Sequence, residues 1–236
     1  MAKRSDPMRD AGLVRKINTP VGVAKYIYLD TPDYEFNKNG DFKMKLFLDP
    51  QQIPVQNLME ELDGLLEEAV MYFSDNAKND RERKKVRASE NTPYYYEEDE
   101  DGKETGKIYM NPKSIASGMT REGQKWERHI PVFDAEGKRV TGALGAGSGT
   151  TLKVALEVRP YFNVQSGVGL SMRMIGVQIA NLVRFGGGIQ TAEDAGFDVI
   201  EGDFSADTFE SPATPAAAPP VMEDDDADGD SRDGDY

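Results

Sequence analysis

The chain has no cysteine, and histidine and tryptophan occur once each in its 236 residues. Without cysteine there is no disulfide framework and no thiolate zinc site, and the composition suits a reducing compartment. No apolar run approaches the roughly 20 residues that cross a bilayer. The start, MAKRSDPMRDAG, is charged where a secretion signal carries an apolar core. His129 has neither a cysteine nor a second histidine to share a metal or activate a nucleophile. The dense carboxylates fall in loops and in the tail rather than on rigid elements. No catalytic residue, metal site or cofactor is expected, and the chain reads as a binding protein rather than an enzyme.

Basic charge is nearly missing from the C-terminal end. From Glu193 to Tyr236 there are 15 acidic residues against Arg232 alone, while residues 1–192 hold 27 acids and 27 bases. The net charge of −14 therefore resides in the tail, and the body is neutral. A neutral body with a local basic face binds anions, because the field at the site decides. A phosphate loop is missing too. Gly142 to Gly149 (GALGAGSG) has no Lys-Ser/Thr at the required spacing, Thr150 stands where a third glycine belongs, and a strand follows instead of a helix. The stretch reads as a connector.

What is present centres on residues 151–188. Leu152, Val154, Leu156 and Val158 alternate with Lys153, Ala155, Glu157 and Arg159. Period two sends the aliphatics to a core and Lys153 and Arg159 outward, and Tyr161 has the outward parity. A loop of about six residues leads to a second strand. There Val168, Leu170, Met172 and Met174 share one parity, with Arg173 between, before Ile175, Val177 and Ile179 take over. That phase change predicts a bulge near Gly176.

Upstream, residues 1–19 read as a mobile basic arm. Gly22 to Leu29 predicts a strand with Tyr26 and Tyr28 on one face and Val23, Ile27 and Leu29 on the other. Phe42 to Leu48 predicts a strand with Phe42, Met44, Leu46 and Leu48 inward and Lys43, Lys45 and Phe47 outward. Either a loop covers Phe47 or the exposed ring serves a ligand, since an uncovered Phe has a cost. Asn57 to Phe73 carries Leu58, Leu62, Leu65, Leu66, Ala69 and Phe73 at helical spacing, which predicts an amphipathic helix packed on the sheet. Ser74 to Gly106 reads as a charged surface excursion, with a basic run (Arg81 to Arg87) that either is solvated or flanks a groove. Lys107 to Met110 and Trp126 to Phe133 are further strands; the first puts Lys107 and Tyr109 on one face. Trp126 serves either core packing or base stacking. Ser211 to Pro220 is an extended linker. The terminus EDDDADGDSRDGDY cannot fold alone, and its resemblance to a calcium loop fails for want of flanking helices and a final Glu.

Several short strands, one amphipathic helix and outward Lys, Arg and aromatic residues predict a mainly β fold of the OB-barrel type that binds a polyanion with exposed bases. LKVALEVRPY, the glycine-containing strand after it, Phe185 followed by three glycines, and the DGDY terminus carry a likeness. In these the chain resembles the single-stranded DNA-binding proteins of short-tailed lytic phages, the podovirus type. The family ends in an acidic tail with a terminal aromatic, usually Phe; here it is Tyr236. The resemblance implies an OB-fold, five-stranded barrel with one capping helix (residues 20–188) between the arm (1–19) and a disordered acidic tail (189–236). It implies a homodimer that coats single-stranded DNA without strong sequence preference, in the cytoplasm of an infected bacterial host. It also implies that the tail contacts phage DNA polymerase and helicase–primase through Asp224, Asp225, Asp226, Asp228, Asp230, Asp233, Asp235 and Tyr236. Tyr161 matches the family's DNA-stacking tyrosine, Phe162 lies beside it, and Lys3 matches a basic N-terminal lysine. With the outward faces, the expected DNA site is Lys3, Lys43, Lys45, Phe47, Lys107, Tyr109, Lys153, Arg159, Tyr161, Phe162 and Arg173. A scaffold that acts through the tail on a basic partner, either as an adaptor or as a histone-type chaperone, is the alternative.

Overall fold

Strand alternation and one long amphipathic helix organise the chain in the computed structural model, which describes residues 6–184. In chain order the elements are a helical turn α1 (Pro7–Asp10), strands β1 (Arg15–Asn18), β2 (Gly22–Asp33) and β3 (Asp41–Leu48), helix α2 (Ile53–Asp75) and a second turn α3 (Asp80–Arg83). Strands β4 (Tyr95–Glu98), β5 (Glu104–Met110), β6 (Lys113–Ile115), β7 (Ser117–Met119), β8 (Lys125–Glu127) and β9 (Val132–Phe133) follow. The long pair β10 (Thr151–Asn163) and β11 (Gly167–Asn181) ends the described chain. The fold is mainly β, as the sequence predicts. Residues 119–126 turn a small ribbon, in which the amides of Gln124 and Thr120 close the hairpin. Trp126 is half-buried on this ribbon and is absent from the core cluster.

Nine strands join one sheet in the order β1-β10-β11-β6-β3-β5-β4, with β9 on β11 and β2 bonded to both β3 and β10. The β10–β11 hairpin is its spine. Leu152, Val154, Leu156 and Val158 have no exposed surface and meet Val55, Leu58, Leu62 and Leu65 of α2 in a single apolar cluster. Each such side chain contributes about 1.5–3 kcal/mol on burial. The predicted bulge is present. Ala155 opposes Gly176 and Leu156 opposes Met174, so Ile175 is the extra residue. It exchanges the parity of β11 without disturbing β10.

Four expectations are corrected. The N-terminal arm is not free from residue 6 onward. Ile17 and Leu13 are buried, Arg15–Asn18 pairs with β10, and Arg15 bonds Glu68 of α2 at 2.5 Å. Its charges hid two apolar anchors. On β2, Val23 is exposed and Ala24 buried, the reverse of the simple alternation. Three steps from Lys25 to Tyr28 oppose two from Lys45 to Lys43, so a bulge at Tyr26 inverts the phase. Helix α2 begins four residues early because Pro54 is a favourable first-turn residue and Val55 is fully buried. The excursion at 74–106 contains strand β4, bonded along β5.

Some expectations fall outside the described residues: Lys3, the Phe185–Gly188 end, the linker, and the tail from Asp224 to Tyr236. The glycine-rich stretch is a connector whose amides at Leu144, Gly145, Gly147 and Gly149 are already occupied. The Asp30 carboxylate accepts from Leu144 N (3.0 and 3.1 Å) and from Gly145 N (2.8 Å).

Candidate nucleic-acid interface

The side of β3 away from the core carries Lys43, Lys45 and Phe47, as period two requires. Register supplies their neighbours. Lys25 opposes Lys45 and Tyr28 opposes Lys43 on β2; Tyr109 opposes Phe47 on β5; Tyr95 opposes Tyr109 on β4. Directly opposed residues share a face. Phe47, Tyr109 and Tyr95 therefore form an aromatic row, with centroids 5.7 Å apart for the first pair and 5.4 Å for the stacked second pair. Lysines sit on these rings: Lys25 Nζ lies 4.4 Å from the Phe47 centroid and Lys45 Nζ 4.7 Å from that of Tyr109. Both are inside the cation–π range of about 6 Å. Lys43 lies over Tyr28 and over the exposed ring of Phe36. An open cleft of about 340 Å³ runs between Lys25, Tyr26, Lys45, Phe47 and Tyr109 and is rimmed by Tyr96, Glu97 and Glu98, with Glu97 3.8 Å from Lys25 Nζ.

Tyr161 belongs to the same level. Following the pairings through β6 and β11, β3 and β10 run in the same direction, and Lys43, Lys113, Arg173 and Glu157 are successive register partners. Phe47 lies four residues beyond Lys43, and Tyr161 four beyond Glu157. Each is about 13 Å up its strand at 3.3 Å per residue. The electrostatics agree. The Tyr95 hydroxyl is held above the usual phenol range, first by burial and then by the nearby hydroxyls of Tyr109 and Tyr161.

The lower level is a row with four cations and one carboxylate. Lys16, Glu157, Arg173, Lys113, Lys43 and Tyr28 oppose one another in turn across six strands. Carboxylates hold several of the cations here. Glu157 bonds Arg173 at 2.9 Å and Arg9 at 3.4 Å; Asp6 pairs with Arg159; Asp33 pairs with Lys43. The Asp33 carboxyl is lowered by its bond from Lys43, whose ammonium is raised in return. Burial pushes the Asp6 carboxyl up, but the Arg9 amide and the Arg159 guanidinium outweigh it and the net shift is downward.

The structure thus gathers Lys43, Lys45, Phe47, Lys107, Tyr109, Arg159, Tyr161 and Arg173 on outward strand faces and leaves two expected residues elsewhere. Phe162 points to the opposite side of β10, where its ring lies 5.7 Å from Phe73 near the end of α2. Lys153 lines a shallow cleft with Pro54, Asn57 and Glu61, eight residues (about 26 Å) down β10 from Tyr161. Phe47 is only 9% exposed, so the choice left open by the sequence is resolved differently from either option. It is covered by the Lys25 stem and the Tyr109 ring, and it floors the row. Sequence reasoning missed Lys25, Tyr95, Lys16 and Lys113, which only register places here. Tyr26 adds a backbone signal: its φ of 54° is rare for a non-glycine residue, and its ring is 65% exposed at the cleft.

A family model, the single-stranded DNA-binding protein of bacteriophage T7, matches residues 21–182. The chain belongs to that family. The resemblance read from LKVALEVRPY and its neighbours is therefore borne out. The match begins just before β2 and ends just after β11, so it covers both rows except for Lys16. Among relatives, the single-stranded DNA-binding protein of Enterobacteria phage T3 is 27% identical over 219 residues, covering 85% of this chain and 93% of its own. In structure, the chain is similar to gp2.5, the single-stranded DNA-binding protein encoded by bacteriophage T7. The TM-score is 0.61 at 22% identity, over 82% of this chain and 99% of that one. It is also similar to the single-stranded DNA-binding protein of bacteriophage Enc34 in complex with ssDNA. There the TM-score is 0.52 at 12% identity, over 72% of this chain and 88% of the other. These two likenesses concern the fold.

Proposed function

We propose that the chain coats single-stranded DNA during phage replication and recombination, without strong sequence preference. The observation that carries this reading is the pair of levels on one face: rings at Tyr161, Tyr95 and Tyr109, and cations at Lys43, Lys113 and Arg173 below them. Bases stack on the rings, a contact that every base can make, and phosphates follow the cations. The carboxylates at Glu157, Asp6 and Asp33 do not forbid this. Arg159, Arg173 and Lys43 each stay about a third exposed beside these largely buried carboxylates, so a phosphate meets the open side of each cation rather than replacing its partner. Pairings that pass from β10 through β11, β6, β3 and β2 and return to β10 support reading the core as a five-stranded OB barrel capped by α2.

On this reading Lys3 and the basic run Arg81 to Arg87 add phosphate contacts. The acidic tail, from Asp224 to Tyr236, occupies the cationic face when DNA is absent. DNA displaces it, and the freed tail recruits phage DNA polymerase and helicase–primase. A tethered polyanion has a high effective concentration, so the competition needs little intrinsic affinity. The protein acts as a homodimer in the cytoplasm of the infected host.

The test is an anisotropy titration of labelled oligo(dT) with the full chain and with a chain stopped at Ala192, at two salt concentrations. The shortened chain is expected to bind more tightly, and both to weaken with salt. Equal affinities would remove the competing tail, and no binding by either would leave a scaffold that acts through the tail. Within the same titrations, Lys113→Ala is expected to lower the slope of log affinity against log salt by about 0.7, one single-strand phosphate contact. An unchanged slope takes Lys113 out of the track.

A further inference from the structure

The best-placed ring, Tyr161, owes its position to a glycine on the neighbouring strand. Tyr161 and Gly169 are direct register partners at the upper end of the β10–β11 hairpin. A Cβ built on Gly169 would fall 2.5 Å from both Cζ and Oη of Tyr161 and 2.9 Å from Cε1. The ring therefore lies folded across β11, over the bare Cα of Gly169, with its hydroxyl end nearest.

The backbone does not ask for glycine there. The φ of Gly169 lies outside the left-handed region. Gly167, two residues before it, is a useful contrast. It has φ +95°, and a Cβ on it would meet Arg87 O at 2.5 Å, so both conformation and backbone crowding require a glycine. At Gly169 the atoms in the way belong to the far end of one side chain. Adding a methyl group would leave the strand as it is and turn the ring out.

We propose that Gly169 is a positioning residue for DNA binding. Its missing side chain holds the Tyr161 ring flat on β11, at the level of Tyr95 and Tyr109, so that the three rings offer one stacking surface. This inference rests on the reading of Tyr161 as a stacking residue. A ring fixed before DNA arrives gives up less freedom on binding, which is where preorganisation adds affinity. Gly169 touches no base itself and acts through Tyr161.

The experiment is a double-mutant cycle in the full-length chain with Gly169→Ala, Tyr161→Ala and the pair. Three quantities are read: the dissociation constant for labelled oligo(dT), the fluorescence of a 2-aminopurine placed in that strand at saturation, and the melting temperature. Tyr161→Ala is expected to weaken binding by about 5- to 150-fold, the range for one stacked base. Gly169→Ala is expected to weaken it at least about fivefold on the same scale, while melting close to the parent. The double variant is expected to bind no more weakly than Tyr161→Ala alone, because contacting residues that act as one unit are not additive. The 2-aminopurine quench should fall in both single variants; a change in strand stability alone would not move it. Parent-like binding by Gly169→Ala, or losses that multiply in the double variant, overturns the positioning role and leaves Tyr161 standing. Parent-like binding by Tyr161→Ala removes the stacking reading itself, and the role of Gly169 with it.

Discussion

Tyr109→Ala in the full-length chain is expected to weaken single-stranded DNA binding by about 5- to 150-fold, the loss of one base stack worth 1–3 kcal/mol. Tyr109 is chosen because it is the middle of the row. Its ring stacks on Tyr95 at 5.4 Å, leans on Phe47 at 5.7 Å and lies under Lys45 at 4.7 Å. Truncation removes a platform, uncovers Phe47 and takes away the ring that orders Lys45. Tyr109→Phe keeps the ring, so it should bind within about twofold of the parent if stacking carries the energy. Lys153→Ala serves as the distant control, since its side chain lies in the cleft beside Asn57 and Glu61. The measurement is an oligo(dT) titration with melting curves alongside. If Tyr109→Phe were as weak as Tyr109→Ala, the hydroxyl rather than the ring would be the contact. If Tyr109→Ala bound like the parent, the row would not be the base platform.

How far this face was legible depends on which physical signal wrote each part of it. Alternation within a strand is local, so Lys43, Lys45, Phe47, Lys107, Tyr109, Arg159 and Tyr161 announce their outward side in the sequence. The bulge in β11 does the same, because the aliphatic phase visibly changes around Gly176. Register is not local. Nothing near Lys113 says that it lies between Lys43 and Arg173, and nothing in the tyrosine triplet says that Tyr95 alone joins the row. Its neighbour Tyr94 donates to Asp63 of α2 at 2.8 Å, and Tyr96 lies at the rim of the cleft rather than in the row. The bulge at Tyr26 was hidden for a different reason. It contains no glycine to mark it, so the unbroken alternation put Val23 inside. Phe162 is a different case: the family resemblance set it with Tyr161, while a strand sends successive residues to opposite sides and its ring packs by Phe73. Burial of the ion pairs could not be read either. Glu157 looks like one more outward charge on its strand, yet it is 8% exposed between Arg9 and Arg173.

The largest effect on stability is expected at Leu156, which sits at the bulge with no exposed surface, opposite Met174. Leu156→Ala removes a side chain from the apolar cluster where β10 meets α2, and its neighbours are strands pinned on both sides, so the space does not collapse. The expected cost is about 2.7–5 kcal/mol. In a domain of this size that corresponds to a fall of about 5–20 °C in the melting temperature. Val164→Ala in the exposed hairpin turn should stay within about 0.5 kcal/mol of the parent. The core variant also connects stability to function. Leu156 points inward, while Glu157, Arg159 and Tyr161 point outward from the same strand, so the binding face survives in every folded molecule. A ligand that binds only the folded form adds about 2.7 kcal/mol at a hundredfold excess over its dissociation constant. Oligo(dT) is therefore expected to restore much of the melting temperature lost in Leu156→Ala, and to do so less well when Tyr109→Ala is added. A core variant that melts low and gains nothing from oligo(dT) would mean that DNA does not bind the folded chain in preference to the unfolded one.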